Sequence, residues 1–197
     1  VFESATSASS SSTFDSSSNK VVIAYRDGGN SQHGTAVVGT VSGTSISFGS
    51  PVVFNSSGSY EFSTTFDSNS NKVVIAYQDA GNSFKGTAIV GTVSGTAISF
   101  GSSVVFSSAD AAYTSSIFDN SSNKVVITYA NGTASGNAIV GTISGTAISF
   151  GTTVVFNSSR TTVSSATFDS SNNKVVIAYN DYSNSQRGTA RVGTVSG

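Results

Sequence analysis

The sequence predicts an all-β protein built by repeating one unit of about 50 residues four times, and three observations carry that reading. First, the words around "TFDSSSNKVVIAY" recur: Phe14, Phe66, Phe118 and Phe168 fall in register at spacings of 52, 52 and 50 residues. Second, an independent marker, the Phe closing each "VF" or "VVF", repeats at the same spacings in Phe2, Phe54, Phe106 and Phe156. Third, the segments between the repeated turns are rich in Val, Ile, Thr, Tyr and Phe, and clusters of Ser, Gly, Asn and Asp separate them. The short third interval traces to "YANGTASGNAIVG", which is two residues shorter between Tyr and Ala than "YQDAGNSFKGTAIVG". Loops absorb such losses and strands do not.

Each repeat reads as four strands in order, named a to d. Strand a is "STTFD" around Phe66, and strand b is "KVVIAY" from Lys72 to Tyr77. Strand c is "GTAIVGTV" from Gly86 to Val93, and strand d is "AISFGSSVVF" from Ala97 to Phe106, with a bulge or bend expected at Gly101. The "SG" after "GTV" is a hairpin turn in which Gly95 takes the positive φ. "DSNSN" is an Asx-rich turn whose side chains satisfy their own backbone. The connections are short, so neighbouring strands pair antiparallel. No segment reads as a helix longer than a turn.

Strand b decides the architecture. Val73, Ile75 and Tyr77 point to one face and Val74 and Ala76 to the other, so both faces must be covered. A four-stranded antiparallel meander buried on both faces is what the radially stacked blades of a β-propeller require. The expected fold is therefore an all-β propeller of four blades in one domain, residues 1–197. Its repeats run approximately 3–54, 55–106, 107–156 and an incomplete 157–197. Val1 and Phe2 would partly supply the strand missing from the last repeat and close the ring; two molecules joining into a larger ring is the alternative. Because it opens on Val1 in mid-repeat and has no Met, the chain reads as a processed or trimmed piece.

The repeated words "VVIAYRDGGNSQHGTAVVGTVSGTSISFGSPVVF" resemble the tandem repeats of bacterial and phage-type β-propellers, the repeat-rich surface and virion proteins. "YRDGGNSQHG" is distantly similar to the Asp-box turn of sialidase-like propellers, without the Trp of that box. The resemblance implies the propeller fold, and fold alone does not supply an activity.

Composition narrows the function classes. Only 10% of residues are charged and the net charge is −1, with basic residues scattered singly. That gives no footprint for nucleic acid and no cationic face for lipid. No apolar run approaches the length that crosses a membrane. A small charge leaves self-association open. With no Cys, there is neither a disulfide framework nor a thiolate metal site. The Ser-, Thr- and Asn-rich surface fits an extracellular, cell-surface or virion setting.

Candidate chemistry is sparse. Asp67, Asn69 and Asn71 alternate like the start of a calcium loop, but the Gly and the distal Glu of that motif are missing, so an Asx turn is expected and no metal or cofactor. Asp15 and Lys20 face one another across a hairpin as a surface ion pair. His33 has Lys85 and Arg187 as its counterparts, and the many Ser have no base in a recurring position, so no catalytic residue is assigned. Tyr25, Tyr77, Tyr129 and Tyr179, with the Phe14 and Phe54 series, are read as core. The a–b and c–d turns, nearly constant among the copies, leave on one face; the b–c and d–a connections leave on the other and hold the variation. That face collects Arg26, His33, Tyr60, Glu61, Phe62, Phe84, Lys85, Tyr113, Arg160, Tyr182 and Arg187 as candidate binding residues. The expectation is a non-enzymatic structural or adhesive module contacting glycan or protein through these loops. A carbohydrate-binding lectin with a site per blade is the first alternative. A glycoside-cleaving enzyme, which would need clustered carboxylates, is the second.

Overall fold

The computed structural model describes residues 1–132 and 134–196. The first repeat supplies β1 (Ser7–Asp15), β2 (Lys20–Asp27), β3 (His33–Ser42) and β4 (Ser45–Phe48). The second contributes β5 (Val52–Asp67), β6 (Lys72–Asp79), β7 (Lys85–Ser94) and β8 (Ala97–Phe100). The third has β9 (Val104–Asp119), β10 (Lys124–Asn131), β11 (Ser135–Ser144), β12 (Ala147–Phe150) and β13 (Val154–Asn157). The fourth has β14 (Thr161–Asp169), β15 (Lys174–Asp181) and β16 (Arg187–Gly193). All neighbours pair antiparallel, and the only helical pieces among the described residues are two three-residue turns, Ala80–Asn82 and Tyr182–Asn184.

Strand d is broken where its glycine stands. Ala97–Phe100 pairs with the end of β7 and Val104–Ser107 with its start, with Gly101, Ser102 and Ser103 bent between them. The hairpin before it closes one residue later than the sequence suggests. Ser94 pairs with Ala97, so Gly95 and Thr96 form the turn, and Gly95 takes φ +61° at its first position, as type II′ requires.

The d–a connections depart further from expectation. "NSSGSYEFS" and "SSADAAYTS" are not loops: β5 and β9 each run 16 residues, pairing first with one repeat and then with the next. Main-chain pairing thereby ties repeat to repeat. Each strand a also carries a bulge, and Ser9, Glu61 and Tyr113 sit in it at φ +51°.

Both faces of strand b are buried, as the sequence required: Val73, Val74, Ile75, Ala76 and Tyr77 are all within 1% of complete burial. One face of each repeat (Val22, Ala24, Ala36 and Val38 in the first) meets the opposite face of the next (Val73, Ile75, Tyr77, Ile89 and Ile98 in the second). The sheets thus stack radially, with strand a innermost, in a propeller-like arrangement. Each buried Tyr carries a Phe from the preceding strand d, with ring centroids 5.0–5.2 Å apart in Phe2–Tyr25, Phe54–Tyr77, Phe106–Tyr129 and Phe156–Tyr179.

The abundant hydroxyls of strand a bridge adjacent repeats. The Ser11 and Thr64 hydroxyls are 3.0 Å apart, those of Ser63 and Ser116 are 2.9 Å apart, and the Ser115 hydroxyl accepts from the Ala166 amide at 3.0 Å. Along the inner strands, Ser and Thr hydroxyls thus join one repeat to the next. This gives the Ser-rich composition a structural cause.

Two expectations need correction. Of the Phe14 series only Phe14 leaves the core, at 54% exposed; Phe66, Phe118 and Phe168 are half-buried and pack against the core clusters, and all four line a shallow opening of about 480 Å³. Asp15 and Lys20 are opposite in register, but Asp15 turns to its own loop, accepting from the Ser17 amide at 2.9 Å and the Ser18 hydroxyl at 2.7 Å. The same Asx turn recurs at Asp67, Asp119 and Asp169, and the Asn before each Lys (Asn19, Asn71, Asn123, Asn173) takes a positive φ that Asn tolerates. Lys124 and Lys174 reach Thr142 and Thr194 instead, both at 2.9 Å.

Burial pushes the carboxyls of Asp15 and Asp119 up, but the Ser hydroxyls and amides of the turn outweigh it and hold both below the ordinary range; the Asn172 side chain does the same for Asp169. A carboxyl depressed on folding contributes stability above its unfolded pKa of about 3.9, which is lost as pH falls through the folded value. Melting temperature is therefore expected to be flat from pH 7 to about 4 and to fall below that. Asp15→Asn and Asp119→Asn together should flatten the acid limb; an unchanged limb would show that other groups set it.

The fourth repeat stands apart. Among the described residues β16 pairs with β15 alone, Val1 and Phe2 add no strand to it, and β1 and β14 make no contact like that of the other inner strands. Phe2 lies instead on Tyr25 and Phe48 of its own first repeat. Between the third and fourth repeats a cleft of about 260 Å³, lined by Val126, Val140, Phe156, Ile177 and Arg191, lies beside β16.

Candidate functional site

The b–c turns are held by a repeated latch. Asp79 accepts from the Gly81 amide and from the Asn55 side chain, both at 3.0 Å, and Asn55 also donates to the Ser59 hydroxyl. Asn157, Asp181 and Thr161 repeat this in the fourth repeat. Asp181 is held below the ordinary carboxylate range, first by the Ser183 hydroxyl. In the first repeat Glu3 replaces Asn55 and receives the Tyr25 hydroxyl at 3.4 Å. Burial, with the nearby Glu3 and Asp27 charges, pushes the Tyr25 phenol up to about 12.

The turn tips take an uncommon conformation. Ser31 and Gln32, Ser83 and Phe84, and Ser185 and Gln186 are consecutive pairs at positive φ. For a bulky aromatic such as Phe84 (φ +59°, 46% exposed) this costs about 1–2 kcal/mol, and strain of this kind clusters at functional positions.

The structure brings three of the candidate residues together where the first and second repeats meet. The Arg26 guanidinium lies over the Tyr60 ring, 4.8 Å from its centroid. Phe84 leans on Tyr60 with centroids 6.0 Å apart at 46°. The Tyr60 hydroxyl donates to the Gln32 side chain at 2.9 Å. The patch therefore offers an exposed aromatic ring, a cation and an amide, held by one half-buried Tyr. Its chemistry suits a neutral ligand with an apolar face and several hydroxyls.

Gln32 was not among the residues singled out from the sequence. Its signal was there: it occupies the column of "NSQHG" that holds Phe84 in "NSFKG" and Gln186 in "NSQRG". Gln78, buried, donates to Asp110 across the next junction, and it too escaped notice.

The other candidates are dispersed. Arg160 lies 4.2 Å over the Tyr182 ring in the fourth repeat, built from different positions than Arg26 and Tyr60. Glu61 is engaged in a repeat-to-repeat bond, accepting the Tyr113 amide at 2.9 Å, and Tyr113 in turn receives the Ser164 hydroxyl on its carbonyl at 2.6 Å. His33, Lys85 and Arg187 open strand c in the first, second and fourth repeats, opposite Asp27, Asp79 and Asp181; the third has Ser135 opposite Asn131. Phe62 does not belong to the face. It is 9% exposed and meets Phe54 edge-on at 6.1 Å inside the core, because the bulge at Glu61 resets the alternation.

No protein-family model matches the chain, and no curated protein matches it. Among solved structures it is similar to a mutant of the Aleuria aurantia lectin in complex with alpha-methyl-L-fucoside, at 14% identity and a TM-score of 0.51. The match covers 94% of this chain and 60% of the lectin, so the chain spans less than two thirds of its length. The likeness is one of fold: an all-β, antiparallel, propeller-like architecture.

Proposed function

We propose that the chain is a non-enzymatic, four-bladed, propeller-like module that binds carbohydrate, displayed at a cell, filament or particle surface. This favours the lectin reading over the purely structural one. The observation that carries it is the patch at the first blade junction, where Phe84 is presented at a strained, exposed tip beside Tyr60, Arg26 and Gln32. An aromatic face stacks on the C–H face of a sugar, while Arg and Gln supply hydrogen-bonding groups for hydroxyls. The lectin that shares this fold was solved holding a methyl fucoside, which supports the ligand class. The junctions differ in their residues, so one principal site is expected, with weaker contacts at Arg160 and Tyr182.

The test is a glycan array followed by titration of the best ligand. Phe84→Gly is expected to weaken binding at least about tenfold, as loss of an anchoring aromatic does, while stability stays level or rises because Gly relieves the positive φ. Equal binding by parent and variant would remove the site from this patch. Binding to no glycan at all would return the module to the adhesive reading.

A further inference from the structure

The junction of the second and third repeats is built differently from the first. The latch residues Asn55, Ser59 and Asp79 have Ser107, Ala111 and Asn131 as their counterparts there, and Ser107 turns to the nearby Ala109 carbonyl at 3.1 Å. Where the other repeats have Gly58 and Arg160, this connection carries Asp110. Its carboxylate accepts from the side chain of buried Gln78, and among the described residues its second oxygen has no partner. Lys85 stands opposite Asp110 in the β7–β9 register, half-buried, and among the described residues no hydrogen bond engages its ammonium.

These groups adjoin the patch at the first junction. Gln78 is the register partner of Tyr60 across β5 and β6. Lys85 follows Phe84 in the chain, and the amide of Ala111, the residue after Asp110, donates to the Phe84 carbonyl at 3.3 Å. The Phe84 amide donates in turn to the Asp79 carbonyl at 2.8 Å. Phe84 is thus fixed by main-chain bonds, with its ring against Tyr60 and its carbonyl beside Asp110.

We propose that Asp110 and Lys85 form a second subsite, and that the ligand is a neutral oligosaccharide of at least two residues lying across both junctions. This rests on the carbohydrate reading of the first junction. One sugar stacks at Phe84 and Tyr60, and the next in the glycan reaches Asp110 and Lys85. Of two neighbouring hydroxyls, one donates to the carboxylate, which only accepts, and the other accepts from the ammonium, which only donates. Gln78 fixes the carboxylate through one oxygen and leaves the other for the sugar. The two charges cancel, so an acidic sugar gains nothing over a neutral one.

Calorimetric titration of the full chain compares methyl glycosides with disaccharides ending in the same sugar: methyl galactoside with lactose, methyl glucoside with maltose, methyl mannoside with mannobiose and methyl fucoside with fucosylgalactose. The best disaccharide is expected to bind at least about tenfold more tightly than its methyl glycoside, the gain that hydrogen bonds to charged groups supply. Asp110→Asn and Lys85→Ala should each remove that gain and leave methyl glycoside binding and the melting curve unchanged. Asn still accepts from Gln78, so the first substitution keeps the turn and replaces only the free oxygen. Phe84→Gly should weaken both ligands alike. Equal affinity for the two ligands, or a gain that survives both substitutions, overturns the second subsite while the first stands. So does an Asp110→Asn variant that weakens methyl glycoside and disaccharide equally, which would make Asp110 a support of the first site. Binding of none of these sugars overturns the carbohydrate reading itself, and the subsite with it.

Discussion

Ile75→Ala is expected to cost about 2–5 kcal/mol, a large part of the roughly 5–15 kcal/mol that holds an ordinary domain together. Ile75 is completely buried between the first and second repeats, in one cluster with Val22, Ala24, Val38 and Tyr77. Its counterparts should give a graded series. Ile127, also fully buried, should lose as much; Ile177 is 5% exposed and borders the cleft beside β16, so it should lose less. Ile23, only half-buried at the open end, should lose least. Urea unfolding of the four single variants, at concentrations where the chain is monomeric, measures the series. Equal losses at Ile23 and Ile75 would mean that the first repeat is covered in solution, and the open-ended stack would then be wrong.

The same gradient marks how far the sequence could be read. Strand b was legible because both of its faces are apolar and four copies agree on it, so Val73–Tyr77 allowed one interpretation. The Asx turns were legible because Asp and Asn carry their local bonding in their own side chains. The d–a connection was misread at Phe62, where a one-residue bulge shifts every side chain beyond it to the other face. Nothing in "SGSYEFS" announces a bulge, since its residue at φ +51° is Glu and not Gly. The d–a connection was likewise taken for a loop because "NSSGS" has turn composition. Its Ser and Asn side chains are instead spent on the latch at Asp79.

The candidate patch was half legible. Arg26, Tyr60 and Phe84 stood out as the wording that changes between copies, but they are 34 and 24 residues apart in the chain. Only stacking of the first two repeats makes them neighbours. The ring was the least legible feature. A count of strands cannot show that Phe2 prefers its own Tyr25 to the edge of β16.

Gly86→Val is expected to be the most damaging of the glycine substitutions at strand c, and Gly188→Val almost silent. A Cβ at Gly86 would lie 2.4 and 2.6 Å from two carbons of the Phe106 ring and 2.7 Å from the Ala111 methyl. Phe106 cannot retreat, because its other side rests on Tyr129 and Phe150 with centroids 5.2 and 5.8 Å away. Overfilling of this kind costs about 1–3 kcal/mol or more, since a close-packed interior has no slack to absorb two methyls beyond the Cβ. The open space above Gly188 imposes no such cost, and Val favours a strand, so its effect should stay within about 0.5 kcal/mol. The two substitutions are chemically identical at equivalent repeat positions, so β-propensity cancels and the difference reports the Phe above the glycine. Melting curves of both, on monomeric protein, decide the matter. Near-equal losses would place an aromatic ring over Gly188 within the single chain, closing the stack on itself.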